Sequence, residues 1–129
     1  MSENPIPDDV REFILENIDS IGQLEALLLL RSSPGEDWNA QGVAKRLYVS
    51  EQDATLILTR LNTSGLIAVK SGKPPLYRYQ PSSDDLRSIV DRLAETYSKH
   101  LVPVTNLVHS KPRTRIQEFA DAFKLRKDE

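Results

Sequence analysis

The fold is constrained most by two predicted helices in the middle of the chain, each with a capping residue and joined by a very short link. Asn39 is suited to cap a helix that continues to about Leu47, because its side-chain oxygen can accept a hydrogen bond from an N–H of the first turn. Ser50 can cap a second helix in the same way, so only Val49 and Ser50 separate the two helices. A link this short makes the helices cross sharply instead of running antiparallel. The pattern predicts a helix-turn-helix.

The second helix leads directly into a short hairpin. Gly65 is placed as the left-handed stop of that helix. Residues 66–70 and 76–79 then carry the apolar, β-branched and aromatic side chains that are typical of strands, with glycine and two prolines in the turn between them. Tyr77 and Tyr79 alternate along the second strand and so share a face. We expect both rings to pack on Trp38 or the core; the alternative is stacking on nucleobases.

Helical patterns precede and follow this unit. Val10 to Ile18 carry apolar residues at helical spacing, and a helix capped by Ser20 is apolar nearly all round, which is typical of a helix at the centre of the core. A longer stripe of apolar residues at helical spacing runs from Ser83 to about Ser110, and it stays on one side of the helical wheel through Pro103. This predicts one helix that is kinked at the proline. A last helix is predicted at roughly 115–126.

The middle of the chain resembles the winged helix-turn-helix of the MarR-like transcriptional regulators. The residues that carry the resemblance are Val43-Ala44-Lys45-Arg46-Leu47-Tyr48-Val49-Ser50, followed by Ala54, Leu58, Leu61 and Gly65-Leu66-Ile67. The resemblance implies a helix laid in the major groove of double-stranded DNA, with a β wing on the neighbouring backbone or minor groove. It also implies a cytoplasmic regulator that forms a homodimer through its terminal helices.

The expected fold is therefore mainly α with a small β wing. A chain of 129 residues is ordinarily one domain with an appendage. We divide it into an N-terminal helix, a winged helix-turn-helix and a region with a long kinked helix and a C-terminal helix: 1–19, 20–81 and 82–129.

The stripe of the long helix has two possible partners. The helix would extend roughly 42 Å at 1.5 Å per residue, which is more than a domain of about 60 residues can cover. Packing within the chain is one interpretation, and a two-fold dimer is the other. The candidate dimer contacts are Leu86, Val90, Leu93, Tyr97, Leu101, Val104, Phe119 and Phe123.

The outward face of the second helix in the helix-turn-helix predicts contacts to bases. Its candidate residues are Gln52, Thr55, Leu56 and Thr59. A glutamine amide can pair with the edge of adenine, and threonine or leucine methyl groups can contact the methyl group of thymine. These are the contacts through which a protein distinguishes one sequence from another.

The charge distribution predicts phosphate contacts in the same region. Residues 1–39 hold 2 basic and 9 acidic side chains, whereas residues 40–80 hold 6 basic and 2 acidic ones. A positive segment in an acidic chain is typical of a surface that binds a polyanion, although it can also be a solvated surface. The candidate phosphate contacts are Lys45, Arg46, Arg60, Lys70, Lys73 and Arg78.

A second interpretation is a winged-helix adaptor that binds another protein. Leu56 is apolar and faces outward, as a protein contact would. Glu51 and Asp53 open the second helix and repel phosphates, although both also suit the positive end of a helix. Because one fold serves several functions, the adaptor stays open at this point.

The sequence argues against several other classes of function. Cysteine is absent, which excludes disulfides and thiolate metal sites. His100 and His109 lie nine residues apart, and no carboxylate stands between them at the spacing of a metal ligand. The two histidines therefore do not indicate a metal site. Paired titratable groups for catalysis are not recognisable, so we expect no enzyme, cofactor or metal. The longest apolar run, Leu27 to Leu30, is too short for a membrane span. A small-molecule effector is left open.

Overall fold

The computed structural model describes residues 5–110 and confirms the mainly helical fold with a small β wing. In this part the chain forms six helices and one two-stranded antiparallel sheet. The elements are α1 (Asp8–Asn17), α2 (Ile21–Ser32), α3 (Ala40–Leu47), α4 (Glu51–Thr63), β1 (Ile67–Lys70), β2 (Leu76–Tyr79), α5 (Asp84–Lys99) and α6 (Leu101–His109).

Side-chain caps fix where the helices of the winged unit begin. Ser20 accepts a hydrogen bond from the N–H of Gln23 at 3.1 Å, which confirms the expected start of α2. The Asn39 side chain accepts from Gly42 at 2.7 Å and begins α3, and Ser50 accepts in the same way at the start of α4. The two helices of the helix-turn-helix therefore begin where local hydrogen-bond chemistry places them.

Burial of one face of α4 holds the helix-turn-helix together. Ala54, Leu58 and Leu61 have 0% of their surface exposed, as their helical spacing predicts. They belong to the same buried cluster as the apolar residues of α2, and α4 packs against both α2 and α3. Gly65 follows with a φ of 79° and ends the helix, as expected for a left-handed stop.

The wing is a hairpin that Trp38 extends. Ile67 pairs with Tyr79 and Lys70 with Leu76 in the register of β1 and β2. Trp38 adds a bridge, because its N–H donates to the carbonyl of Tyr77 at 2.8 Å and its carbonyl accepts from Tyr77 at 2.7 Å. Tyr77 and Tyr79 are each 7% exposed. Packing is thus the role of both rings, and the base-stacking alternative is excluded.

The expectation of one helix kinked at Pro103 is wrong. α5 ends at Lys99, α6 begins at Leu101, and His100 between them has a φ of −134° and a ψ of 58°. In a continuous helix the proline ring would clash with the carbonyl of Lys99. The break at His100 removes this clash and places Pro103 in the first turn of α6, where a missing N–H leaves no intrahelical bond unmade.

Three of the expected dimer contacts belong to the core of their own chain. Val90, Leu93 and Val104 have no exposed surface within the single chain, in which α1, α5 and α6 pack on one another. Intrachain packing therefore accounts for this part of the stripe, and the assignment of these three residues to a dimer interface is corrected. Phe119 and Phe123, with the predicted last helix, lie outside the described residues.

The other candidate dimer contacts within the described residues are less buried. Leu86 and Tyr97 are partly exposed and Leu101 is 54% exposed. The hydroxyl of Tyr97 donates to Glu25 Oε2 at 2.7 Å, which joins α5 to α2. Burial and the Glu25 carboxylate together raise the pKa of Tyr97 to about 12. Across residues 5–110, none of the helices is both long enough and apolar enough to cross a bilayer.

Candidate nucleic-acid interface

The outward face of α4 is exposed along its length. Gln52, Thr55, Leu56 and Thr59 all lie on the solvent side, opposite the buried residues of the helix. Leu56 is 62% exposed. The structure thus gathers the four sequence-predicted base contacts on one surface, which no other described element covers.

The polar groups on this face differ in what they already bind. The hydroxyl of Thr55 donates to the carbonyl of Glu51 at 3.0 Å within the helix. The Gln52 amide has no hydrogen-bond partner within residues 5–110. Of these two side chains, Gln52 is therefore the one whose donor and acceptor are both available to a ligand.

Three of the six expected phosphate contacts already pair with acids of the chain. Arg60 on α4 forms an ion pair with Asp19 in the turn between α1 and α2. Arg78 on β2 donates to Asp37 Oδ1 at 2.9 Å, and Lys70 Nζ lies 3.7 Å from Asp37 Oδ2. These cations can bind phosphates only by sharing or exchanging their present partners.

The other three cations have no acidic partner in the part of the chain that the structure describes. Lys45 and Lys73 are exposed, and neither forms an ion pair there. The guanidinium of Arg46 lies 5.6 Å from the centre of the Trp38 ring. This cation–π contact orients the arginine without neutralising its charge.

The wing lies beside the first half of α4. A cleft of about 130 Å³ separates the wing turn from the starts of α3 and α4. Its walls include Pro74 and Pro75 of the turn, Glu51 and Thr55 of α4, and Asn39. A ligand on the exposed face of α4 would therefore also meet the wing turn, which includes Lys73.

Sequence reasoning missed Asp19 and Asp37, the acids that pair with cations of this surface. Asp37 and Arg78 are 41 positions apart, so no local pattern marks them as partners. The hydrogen bond from Arg78, with its charge and that of Lys70, holds the pKa of Asp37 below its ordinary value of 3.8. Burial of the carboxylate opposes this shift.

The lowered pKa of Asp37 predicts how the pair responds to acid. A carboxyl group with a lowered folded-state pKa contributes stability above pH 3.8, and this contribution is lost as the pH falls through the lowered value. The stability difference between the wild type and Asp37→Asn should therefore be constant near pH 7 and shrink below pH 3.8. Urea unfolding between pH 7 and pH 2 measures it. If the difference in unfolding free energy between the wild type and Asp37→Asn does not change with pH, the ion pair is not the cause of that difference.

The described residues show no metal site. No group of three or more histidine, aspartate or glutamate side chains comes together within residues 5–110 as metal ligands would. His100 lies at the break between α5 and α6.

Comparison with solved structures relates the fold to known regulators. Sco5413, a MarR family transcriptional regulator from Streptomyces coelicolor, matches 97% of this chain and 84% of its own, at 21% identity and a TM-score of 0.56. MepR, a transcription regulator of the Staphylococcus aureus multidrug efflux pump MepA, matches 93% and 87%, at 12% identity and a TM-score of 0.55. Bordetella bronchiseptica BpsR, whose DNA binding is regulated by 6-hydroxynicotinic acid, matches 82% and 71%, at 21% identity and a TM-score of 0.51.

The fold is therefore the winged-helix fold of the MarR-family transcriptional regulators. No protein-family model matches the chain, and no curated protein matches it. At these identities the similarity is one of fold, so the residues of α4 and the wing have to carry the argument on function.

Proposed function

We propose that this protein is a DNA-binding transcriptional regulator that places α4 in the major groove of a short operator. The observation that carries the proposal is the two-sided character of α4. One face is fully buried and fixes the helix, whereas the opposite face exposes Gln52, Thr55, Leu56 and Thr59 with no covering element among the described ones. A helix presented in this way has the shape that the major groove admits.

The surface divides into groups that read bases and groups that hold phosphates. We assign base contacts to the four exposed residues of α4, and Gln52 is the one suited to a bidentate contact with adenine. We assign Lys45, Arg46 and Lys73 to phosphates, and these three cations need not release an acidic partner first. Arg60, Lys70 and Arg78 are assigned to phosphates at the cost of exchanging an acidic partner, so we expect each of them to contribute less affinity.

Salt dependence is the test of this proposal. Duplexes that the protein retains from a random pool should bind with an affinity that falls steeply with salt, by ~0.9 in logarithmic slope for each phosphate neutralised. Absence of duplex binding even at low salt would contradict the proposal. In the proposed function, regulation acts by occupancy of the operator and involves no catalytic step.

The competing function is protein binding by an adaptor. Leu56 is 62% exposed, and Glu51 and Asp53 add negative charge to the first turn of α4. The same salt titration distinguishes the two functions, because an adaptor has little affinity for any duplex.

We also propose a homodimer, as the resemblance to MarR-like regulators implies. The apolar side chains of Leu101 and Val102 at the start of α6 are 54% and 63% exposed, and Tyr97 near the end of α5 is partly exposed. Two copies joined here would each present α4 to DNA. Binding of a pseudo-palindrome requires the two helices to lie about 34–36 Å apart.

Leu101→Glu should convert the dimer to a monomer. The change places a charge in the apolar surface, and glutamate is compatible with the first turn of α6. Light scattering should give twice 14.6 kDa for the wild type and 14.6 kDa for the variant. Val69→Glu is the control, because Val69 is a 45% exposed apolar residue of the wing and should leave the mass unchanged. A wild-type protein that is monomeric at all concentrations would contradict the dimer.

A further inference from the structure

Tyr48 is the most exposed large hydrophobic side chain of the described residues. It follows α3 directly, and 94% of its surface is accessible to solvent. Its backbone has a φ of 59° and a ψ of 44°, in the left-handed region that glycine and asparagine enter more easily than an aromatic residue does. The chain thus carries a bulky ring at a position where both the backbone and the hydrophobic effect favour something smaller.

The fold uses the backbone of Tyr48 and not its side chain. The N–H groups of Tyr48 and Val49 both donate to the carbonyl of Ala44, the second at 3.1 Å, and this closes the turn between α3 and α4. The hydroxyl of Tyr48 has no hydrogen-bond partner in the part of the chain that the structure covers. A glycine at this position would make the same backbone bonds with less strain.

The position of the ring suggests what it binds. Tyr48 precedes Ser50, the cap of α4, by two residues, so their Cα atoms are at most about 7.6 Å apart. In a docked helix-turn-helix the start of the recognition helix contacts bases, while the preceding helix crosses the sugar–phosphate backbone. The turn lies between these two contacts, and a tyrosine hydroxyl is among the groups that donate to phosphate oxygens.

We propose that Tyr48 is a DNA-backbone contact whose phenol hydroxyl donates a hydrogen bond to a phosphate oxygen beside the major groove. The proposal rests on the proposed function of α4. It assigns to the turn a neutral donor that fixes the position of the protein on the duplex, next to the cations Lys45 and Arg46 of α3. Because phosphates are the same in every sequence, this contact adds affinity without sequence preference.

Tyr48→Gly tests the proposal because stability and binding should change in opposite directions. Removal of the left-handed tyrosine should raise the temperature midpoint of unfolding by a few degrees. Affinity for duplex DNA should fall roughly tenfold, on selected and random sequences alike, since a hydrogen bond to a charged group is lost. Tyr48→Phe keeps the ring and the strained backbone, so the temperature midpoint of unfolding should stay near that of the wild type. Its affinity for duplex DNA should fall roughly tenfold as well, because the hydroxyl is lost.

The salt dependence separates this contact from a cation. A neutral hydroxyl releases no counterion, so both Tyr48 variants should keep the wild-type salt slope, whereas Lys73→Ala should lower it by ~0.9 per subunit. If the wild type binds duplex DNA and both Tyr48 variants bind equally well, the inference fails and the proposed function stands. If only Tyr48→Phe binds as the wild type does, the hydroxyl is not the donor and the proposal is overturned. If the wild type binds no duplex, both fail.

Discussion

Leu58→Ala should lower the free energy of unfolding by about 2–5 kcal/mol, which is the usual cost of truncating a fully buried leucine. Leu58 has no exposed surface and lies on the inward face of α4. The truncation removes apolar contacts and leaves a cavity that the neighbouring side chains fill only in part. Urea unfolding followed by circular dichroism measures the loss.

Leu56→Ala is the matched control for Leu58→Ala. It makes the same chemical change two residues earlier on the same helix, where the side chain is 62% exposed. Its stability should stay within about 0.5 kcal/mol of the wild type. Under the proposed function, Leu56→Ala should instead reduce binding to the selected duplex. Equal destabilisation by both variants would contradict the inward and outward assignment of the α4 faces.

Gln52→Ala should reduce sequence preference, with little effect on binding to random duplex. Loss of a bidentate base contact costs ~1–3 kcal/mol, which corresponds to about 5- to 150-fold weaker binding to the selected duplex. The Gln52 side chain is exposed and makes no hydrogen bond within the described range, so the fold should not change. Fluorescence anisotropy with a selected and a random duplex measures both affinities.

Lys73→Ala is the comparison for Gln52→Ala. Lys73 is exposed in the wing turn and has no ion-pair partner among the residues described. Its removal should weaken binding to the selected and the random duplex by the same factor, because phosphate contacts carry no sequence information. If both variants lose the same affinity on both duplexes, the division between base and phosphate contacts is wrong.

The sequence predicted those parts of the fold that local chemistry determines. The starts of α2, α3 and α4 follow from single side chains that cap the first turn, and Gly65 ends α4 because glycine adopts a positive φ without strain. The inward face of α4 follows from its 3.6-residue period. Each of these features depends on residues a few positions apart.

The break at His100 was not predicted because periodicity alone does not report on continuity. The apolar phase of α5 continues into α6, so the stripe matches a single helix as well as two. The choice between one helix and two is decided by Pro103, which has no N–H to donate and whose ring would clash with the carbonyl of Lys99 in a continuous helix. Burial of Val90, Leu93 and Val104 within the chain is equally non-local, because the apolar pattern of a helix does not reveal which surface covers it.

The candidate site likewise has features that local sequence predicts and features that depend on distant segments. Exposure of Gln52 and Thr59 follows from the helix period, whereas the pairing of Arg60 with Asp19 and of Arg78 with Asp37 depends on how distant segments meet. Six cations counted along the sequence therefore overstate the charge that is ready to meet phosphates. Three of these six cations have no acidic partner within residues 5–110; they belong to α3 and the wing turn, and none of them belongs to α4.

Nuclear magnetic resonance mapping of a duplex onto the protein tests the central claim most directly. The claim is that the outward face of α4 contacts base edges of double-stranded DNA. Addition of a selected duplex to ¹⁵N-labelled protein should shift the amide signals of α4 residues 51–60 most, with smaller shifts in the wing turn. Signals that shift only in α1, α5 or α6, or that do not shift at low salt, would contradict the account.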